Sequence, residues 1–235
     1  MKKLLMILIT LTVIISLAAC GDDETEESEN TEDNTTSEQA QQELEITEEE
    51  KLDEDTSVAV VNGEEINGVD YNPIYSQVKT TMYQYGQDVS DHELIKNQTV
   101  DILVEQALIK QDAEKEGIEV TEEEAQEELN TIKETSSEEE FTALLDQYKM
   151  TEEDFQKQLM DDLITIKYVD EFEAEVSDEE IQEYYDQLKG QNEEIGELEE
   201  VEGQIKEILV NEKQSEQLRA KVEELKKDAE VETVL

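Results

Sequence analysis

Apolar positions change their period once along residues 58–235. Val58 to Val61 form a short β-branched run, Asn62-Gly63 follows, and Glu64 to Ile66 resume it. Asn-Gly tolerates positive φ at both positions, so the stretch predicts a two-strand hairpin with a two-residue turn. Beyond Ile66 the spacing turns helical. Val100, Leu103, Val104, Ala107 and Leu108 fall at i, i+3, i+4, i+7 and i+8, one buried helix face. Ile102 and Ile109 lie on another face, which predicts cover on two sides. Phe155, Leu159, Leu163, Ile166 and Val169 make a similar stripe. Leu218, Val222, Leu225 and Ala229 step by 4, 3 and 4, as expected of a helix packed along another helix. The closing "VETVL" is β-branched and is expected to pair with the opening hairpin.

Helix starts recur with the same chemistry. Ser90 precedes Glu93 by three residues, and the same spacing relates Thr121 to Glu124, Ser137 to Glu140, Thr151 to Asp154 and Ser177 to Glu180. In such a box the hydroxyl and the acid satisfy each other's orphan N–H groups. Gly86, Gly117 and Gly190 stand where helices should stop. Together these predict helices near 67–85, 91–116, 122–134, 138–148, 152–174 and 178–189, and a longer one near 199–228. The region holds one proline, Pro73, and no tryptophan. The fold class is therefore mostly α, with a small β-hairpin that a C-terminal strand completes.

The chain's start follows a different logic. Lys2 and Lys3 precede an almost purely apolar run, Leu4 to Ala19, too short to span a bilayer as a helix. This reads as an export signal over residues 1–19, excluded from the fold. Cys20 is the only cysteine, and nucleophile, metal ligand, intermolecular disulfide and anchor are the alternatives for it. Leu17-Ala18-Ala19-Cys20 resembles the lipobox of bacterial lipoproteins, which implies lipidation of Cys20 and leaves no thiol for catalysis, disulfides or metal. Acyl chains add about 0.8 kcal/mol of membrane affinity per buried methylene, and two chains anchor stably.

Charge then narrows the function. The chain has 67 acids against 18 Lys and Arg, a formal charge of -49. That argues against nucleic acid, whose phosphates reward cations, and against docking on anionic lipid. It favours solubility and attracts cations or basic unfolded chains. Adaptation to salt or high pH gives the same composition. Residues 22–56 alone hold 17 acids and one Lys, so residues 20–56 are expected to be a disordered acidic tether carrying the lipid, and 57–235 the folded domain.

Four stretches now align in order: "VAVVNGEEI", "LVEQALIKQDAEKEGIEVTEEEAQEEL", "VSDEEIQEYYDQLK" and "EGQIKEILVNEKQSEQLRAKVEELKKDAEVETV". This order resembles the SurA-type chaperone family, including PrsA-like foldase lipoproteins and, more distantly, the arm region of trigger factor. The likeness covers roughly 58–189 and 201–235. In that family a parvulin isomerase domain commonly lies between the last two stretches. Here about ten residues stand there, Gln191 to Glu200, whereas even a marginal domain needs around 60. The single histidine, His92, lies far upstream. The resemblance thus implies a SurA-type helical chaperone module without its isomerase. The implied function is a membrane-anchored, ATP-independent chaperone for unfolded exported polypeptides, with no cofactor and no nucleic-acid partner. An adaptor holding one specific partner and, by family analogy, an isomerase are the alternatives. The implied location is the outer face of a bacterial cytoplasmic membrane, with a Gram-positive cell surface expected. No feature sets an oligomeric state.

Two apolar clusters are candidate client contacts. Tyr71, Tyr75, Met82, Tyr83 and Tyr85 crowd one stretch, and Tyr and Met suit weak binding of varied segments. Phe141, Leu145, Tyr148 and Met150 form the second, on a short helix. Core packing is the stronger reading of each cluster, and client contact the alternative. Of Tyr184 and Tyr185, on different sides of one helix, one is expected to be exposed. His92 reads as a solvated or capping residue. Paired acids such as Asp161-Asp162 and Glu179-Glu180 are expected by chance among so many.

Overall fold

The structure, a computed structural model, describes residues 44–192 and 195–235. The expected export signal, Cys20 and the tether up to residue 43 lie outside the described residues. Among the described residues are β1 (Ser57–Val61), β2 (Glu64–Asn67), α1 (Gly68–Gln84), α2 (His92–Lys115), α3 (Glu122–Thr135), α4 (Glu138–Tyr148), α5 (Glu152–Asp170), α6 (Asp178–Gln191), α7 (Leu198–Asp228) and β3 (Val231–Thr233). The hairpin turns at Asn62 and Gly63, with φ of 52° and 87°. β1 is central, flanked antiparallel by β2 and β3, with Ala59 opposite Thr233 and Val61 opposite Val231. The expected C-terminal strand is present and closes the sheet.

Four of the five expected capping boxes form, at Thr121, Ser137, Thr151 and Ser177. The fifth shifts by one residue. Asp91 caps α2 by accepting from the Leu94 amide at 3.1 Å, while the Ser90 amide donates to Asp88. Gly86 and Gly117 stop their helices with φ of 68° and 81°. Gly190 does not stop α6, which continues through it to Gln191. Lys149 ends α4 in the left-handed region at φ 54° with no glycine to announce it. The helix expected to reach 174 ends at Asp170.

α2 is the spine. Val100, Leu103, Val104 and Leu108 bury against β1 and α1, in a core that includes Val58, Val61, Tyr71 and Ile95. A buried aliphatic side chain of this size contributes about 1.5–3 kcal/mol. Ile109 buries on the opposite side against Ile164, Tyr168 and Val222. Ile102 does not: it is 36% exposed, although Ile95 and Ile109, seven residues to either side on the same face, are buried, so the cover on this side of α2 is interrupted at Ile102. The α5 stripe also shifts, burying Leu159, Ile164 and Tyr168. Tyr168 Oη donates to Asp112 Oδ2 at 2.6 Å, and Lys221 Nζ lies 3.1 Å from the same oxygen, which joins α2, α5 and α7. Burial pushes the Asp112 carboxyl up, but these donors outweigh it and hold it below its ordinary value.

Residues 45–56, assigned to the tether by composition, pack as a strap on α1. Ile46 and Leu52 lie against the main core. Asn72 clamps Leu52 by donating to its carbonyl and accepting from its amide, both at 2.9 Å. Gly68 lets the strap approach, since a Cβ there would sit 2.2 Å from the Asp53 carbonyl oxygen.

Candidate client-binding surface

The structure divides the tyrosine-rich stretch of α1. Tyr71, Tyr75 and Met82 are core. The rings of Tyr71 and Tyr75 stack with centroids 5.4 Å apart. Tyr75 Oη donates to Glu50 Oε1 at 2.8 Å, and Lys79 Nζ donates to the same oxygen at 2.5 Å and to the Glu45 carbonyl at 2.8 Å. Burial alone pushes the Glu50 carboxyl up. Donation from Lys79, the Thr47 amide, Tyr75 and the Thr47 hydroxyl reverses this and holds it at about 2. These three candidates are buried in the main core that α1 shares with β1 and α2, and Tyr75 also bonds to the strap. Tyr83 and Tyr85, past the last core turn, remain 39% and 63% exposed.

The second cluster is likewise mostly core. Phe141 is buried edge-on against Phe155 at 5.5 Å, with Leu129 and Leu159 beside it. Met150 is buried where the chain leaves α4. A short helix such as α4 is marginal alone, and its apolar face supplies one side of the small core under α3 and α5. Leu145 and Tyr148 stay half-buried. His92 opens α2 half-exposed, its Nδ1 3.9 Å from Glu50 Oε1.

A further apolar surface lies where no site was predicted. α6 and the first half of α7 form a hairpin whose small core is Ile181, Tyr185 and Ile205. Two helices alone enclose little. Tyr184, Leu188, Leu198, Val201 and Leu209 remain half-buried around that core, and Ile208 is 40% exposed. Tyr185 Oη donates to the Gly196 carbonyl at 3.0 Å and receives Lys189 Nζ at 2.8 Å, which fixes the connection between the helices. Lys213 Nζ lies 2.6 Å from Glu180 Oε1 at the hairpin base. That contact and the Ser177 amide hold the Glu180 carboxyl at about 2. Of the tyrosine pair, Tyr185 is the buried member and Tyr184 the half-exposed one. Both tyrosines face the hairpin core rather than different sides, and the spacing of Ile181, Tyr184, Tyr185 and Leu188 at i, i+3, i+4 and i+7 carried that signal in sequence. Such a surface can hold an apolar segment by contact. Among the described residues no group of three or more His, Cys, Asp or Glu side chains is placed to hold a metal.

The family described as "SurA-like N-terminal domain" matches residues 1–169. The chain belongs to that family. Against the foldase protein PrsA of Caldanaerobacter subterraneus subsp. tengcongensis it is 33% identical over 143 residues, which is 56% of this chain and 42% of that protein. The chain thus matches less than half the length of that relative. A solved chain of the SurA-like chaperones PEB4 and Cj1289 of Campylobacter jejuni superposes with a TM-score of 0.47 at 13% identity, covering 77% of this chain and 99% of that one. The SurA-like match ends at the C-terminal end of α5, so the apolar α6–α7 hairpin lies beyond it.

Proposed function

We propose that this SurA-like chain is an extracytoplasmic, ATP-independent chaperone, anchored through lipid on Cys20, that binds unfolded exported polypeptides and has no isomerase activity of its own. The observation that carries the reading is the half-covered apolar lining of the α6–α7 hairpin in a member of this family. A two-helix core leaves contiguous apolar area open to a chain that has not yet buried its own. Only residues 192–197 separate α6 from α7, far short of the about 60 that a further domain between them would need. The outer face of the cytoplasmic membrane of a Gram-positive cell is the location that fits a lipidated Cys20.

Light scattering of a chemically denatured client, refolding with and without the unlipidated full chain, tests the reading. Suppression of aggregation near equimolar amounts without ATP is expected. No suppression across clients of either charge sign overturns it in favour of a dedicated partner. Acceleration of a proline-limited refolding reaction overturns the absence of isomerase activity.

A further inference from the structure

The sheet has two outer edges, and they are guarded differently. β2 carries the exposed acids Glu64 and Glu65, and Gln111 Nε2 reaches in to the Val61 carbonyl and to Glu64. A bulge between Ser57 and Ala59 bends the ladder on that side. Charges and bulges of this kind keep an edge from recruiting another strand. β3 carries one acid, Glu232, between Val231 and Thr233, and all three residues are exposed. Val231 is 42% and the following Val234 53% exposed.

The register says which groups are free to pair. The Asn62 amide donates to the Glu230 carbonyl at 2.8 Å and the Val234 amide to the Val58 carbonyl at 2.9 Å. Glu230 and Val234 therefore turn their main chain toward β1. By the two-residue alternation of an antiparallel ladder Glu232 does the same, and Val231 and Thr233 turn theirs outward. Each offers one N–H and one C=O at the spacing an added antiparallel strand needs. Their side chains share the face of Val61 and Ala59, the helix-covered side, whereas Glu232 shares the outer face with Val60 and Glu65.

Charge decides the occupant. Antiparallel pairing of β3 with a second copy, centred on Glu232, sets two glutamates directly opposite; centred on Val231, it sets Glu230 opposite Glu232; centred on Thr233, it sets Glu232 opposite Val234, and only the overall charge of the two copies opposes it. Like charges directly opposite destabilise a ladder, and each copy carries -49 overall. Residues 22–43 of the same chain, with ten acids and no Lys or Arg, bring the same sign. We propose that β3 is an open edge that accepts an extended cationic segment of a client polypeptide by strand addition, with a Lys or Arg opposite Glu232 and β-branched residues opposite Val231 and Thr233. Main-chain bonds then supply affinity and the alternating side chains supply selection. The client assignment rests on the chaperone reading; the strand addition does not.

The test uses the unlipidated full chain and three labelled peptides of one length: one alternating Val with Lys, one alternating Val with Glu, and the Lys peptide interrupted by proline. Fluorescence anisotropy reads binding, and amide hydrogen exchange reads its place. The Lys peptide is expected to bind at least tenfold more tightly than the other two and to slow exchange at Val231 and Thr233. Thr233→Pro removes an outward N–H while leaving the bonds to β1, since proline is tolerated at an edge; it is expected to cost at least tenfold in binding with an unchanged melting temperature. Glu232→Lys is expected to reverse the preference toward the Glu peptide. Protection confined to other segments, or unaltered binding in both variants, overturns the proposal. Dimers in sedimentation that Thr233→Pro dissolves overturn it in favour of a second copy. Peptide binding at β3 by a chain that suppresses no aggregation supports the open edge and removes the chaperone reading. Aggregation suppression of a cationic client that Thr233→Pro leaves intact does the reverse.

Discussion

Glu50 shows how far a single position escapes composition. It sits in a run of acids, and such runs are ordinarily solvated. Yet its side chain is 2% exposed and pairs with Lys79, itself 6% exposed. Ile46 and Leu52, on either side of it, pack against the main core and bring the strap onto α1, where Glu50 meets Lys79 and Tyr75. Removing one partner of a buried pair strands the other, so Lys79→Met is expected to cost about 3–5 kcal/mol in urea denaturation. The pH dependence has a defined sign. A carboxyl held at about 2, against an ordinary 4.5, stabilises the fold above 4.5, and that share is lost as pH falls toward 2. Asp162 runs the other way. Burial, and then the Asp161 charge, push it up to about 6. Its ionised form therefore costs stability above pH 6 and the cost disappears as pH falls. Asp162→Asn is expected to raise the denaturation midpoint at pH 7.5, with the gain gone by pH 4.

At the scale of elements, what was legible was what is local. The hairpin turn, four capping boxes, two glycine stops and the α2 stripe each involve residues within a few positions of one another. The misplaced features depend on partners elsewhere. Ile102 is apolar on the same face as Ile95 and Ile109 yet stays 36% exposed, and α4 ends at Lys149, after which Met150 turns into the core. A non-glycine residue in the left-handed region costs about 1–2 kcal/mol, and glycine gives back about 0.4–1 kcal/mol of that as unfolded-state entropy, so Lys149→Gly is expected to raise stability modestly, read by thermal melts. The α6–α7 hairpin was visible as two amphipathic helices. That its core holds only three buried residues was not, because the missing third layer has no mark in either helix. Tyr184→Ser combined with Ile208→Ser is expected to weaken aggregation suppression severalfold while lowering the melting temperature by only a few degrees, because neither side chain is buried.

At the scale of the molecule the order of elements was legible and the division of the interior was not. Four separate apolar clusters, rather than one core, run through residues 46–229. Helices shared between them provide the continuity: α2 lines the clusters of Ile95 and of Tyr168, α5 those of Tyr168 and of Phe141, and α7 reaches those of Ile205, of Tyr168 and, through Leu225, of Ile95. The surface around them is overwhelmingly acidic. Exposed charges are screened beyond about 3 Å at 1 M salt. Suppression of a basic client's aggregation is therefore expected to fall as salt rises from 0.05 to about 0.5 M, with an acidic client changing little; light scattering at matched client stability checks this.

The closure of β1 by β3 also imposes an order in time. Val58 to Val61 are among the first residues of the fold to be made, and their outer partners are among the last, with Ala59 set against Thr233. Joining points so distant in sequence is slow, because chain entropy must be spent before the contact returns anything. A chain emerging from its N-terminal end completes the hairpin, the strap and α1 early, yet keeps one side of β1 waiting. During that interval the nascent protein carries an unpaired strand edge of its own, the very hazard it is proposed to relieve in others, and its heavy negative charge then serves its own assembly.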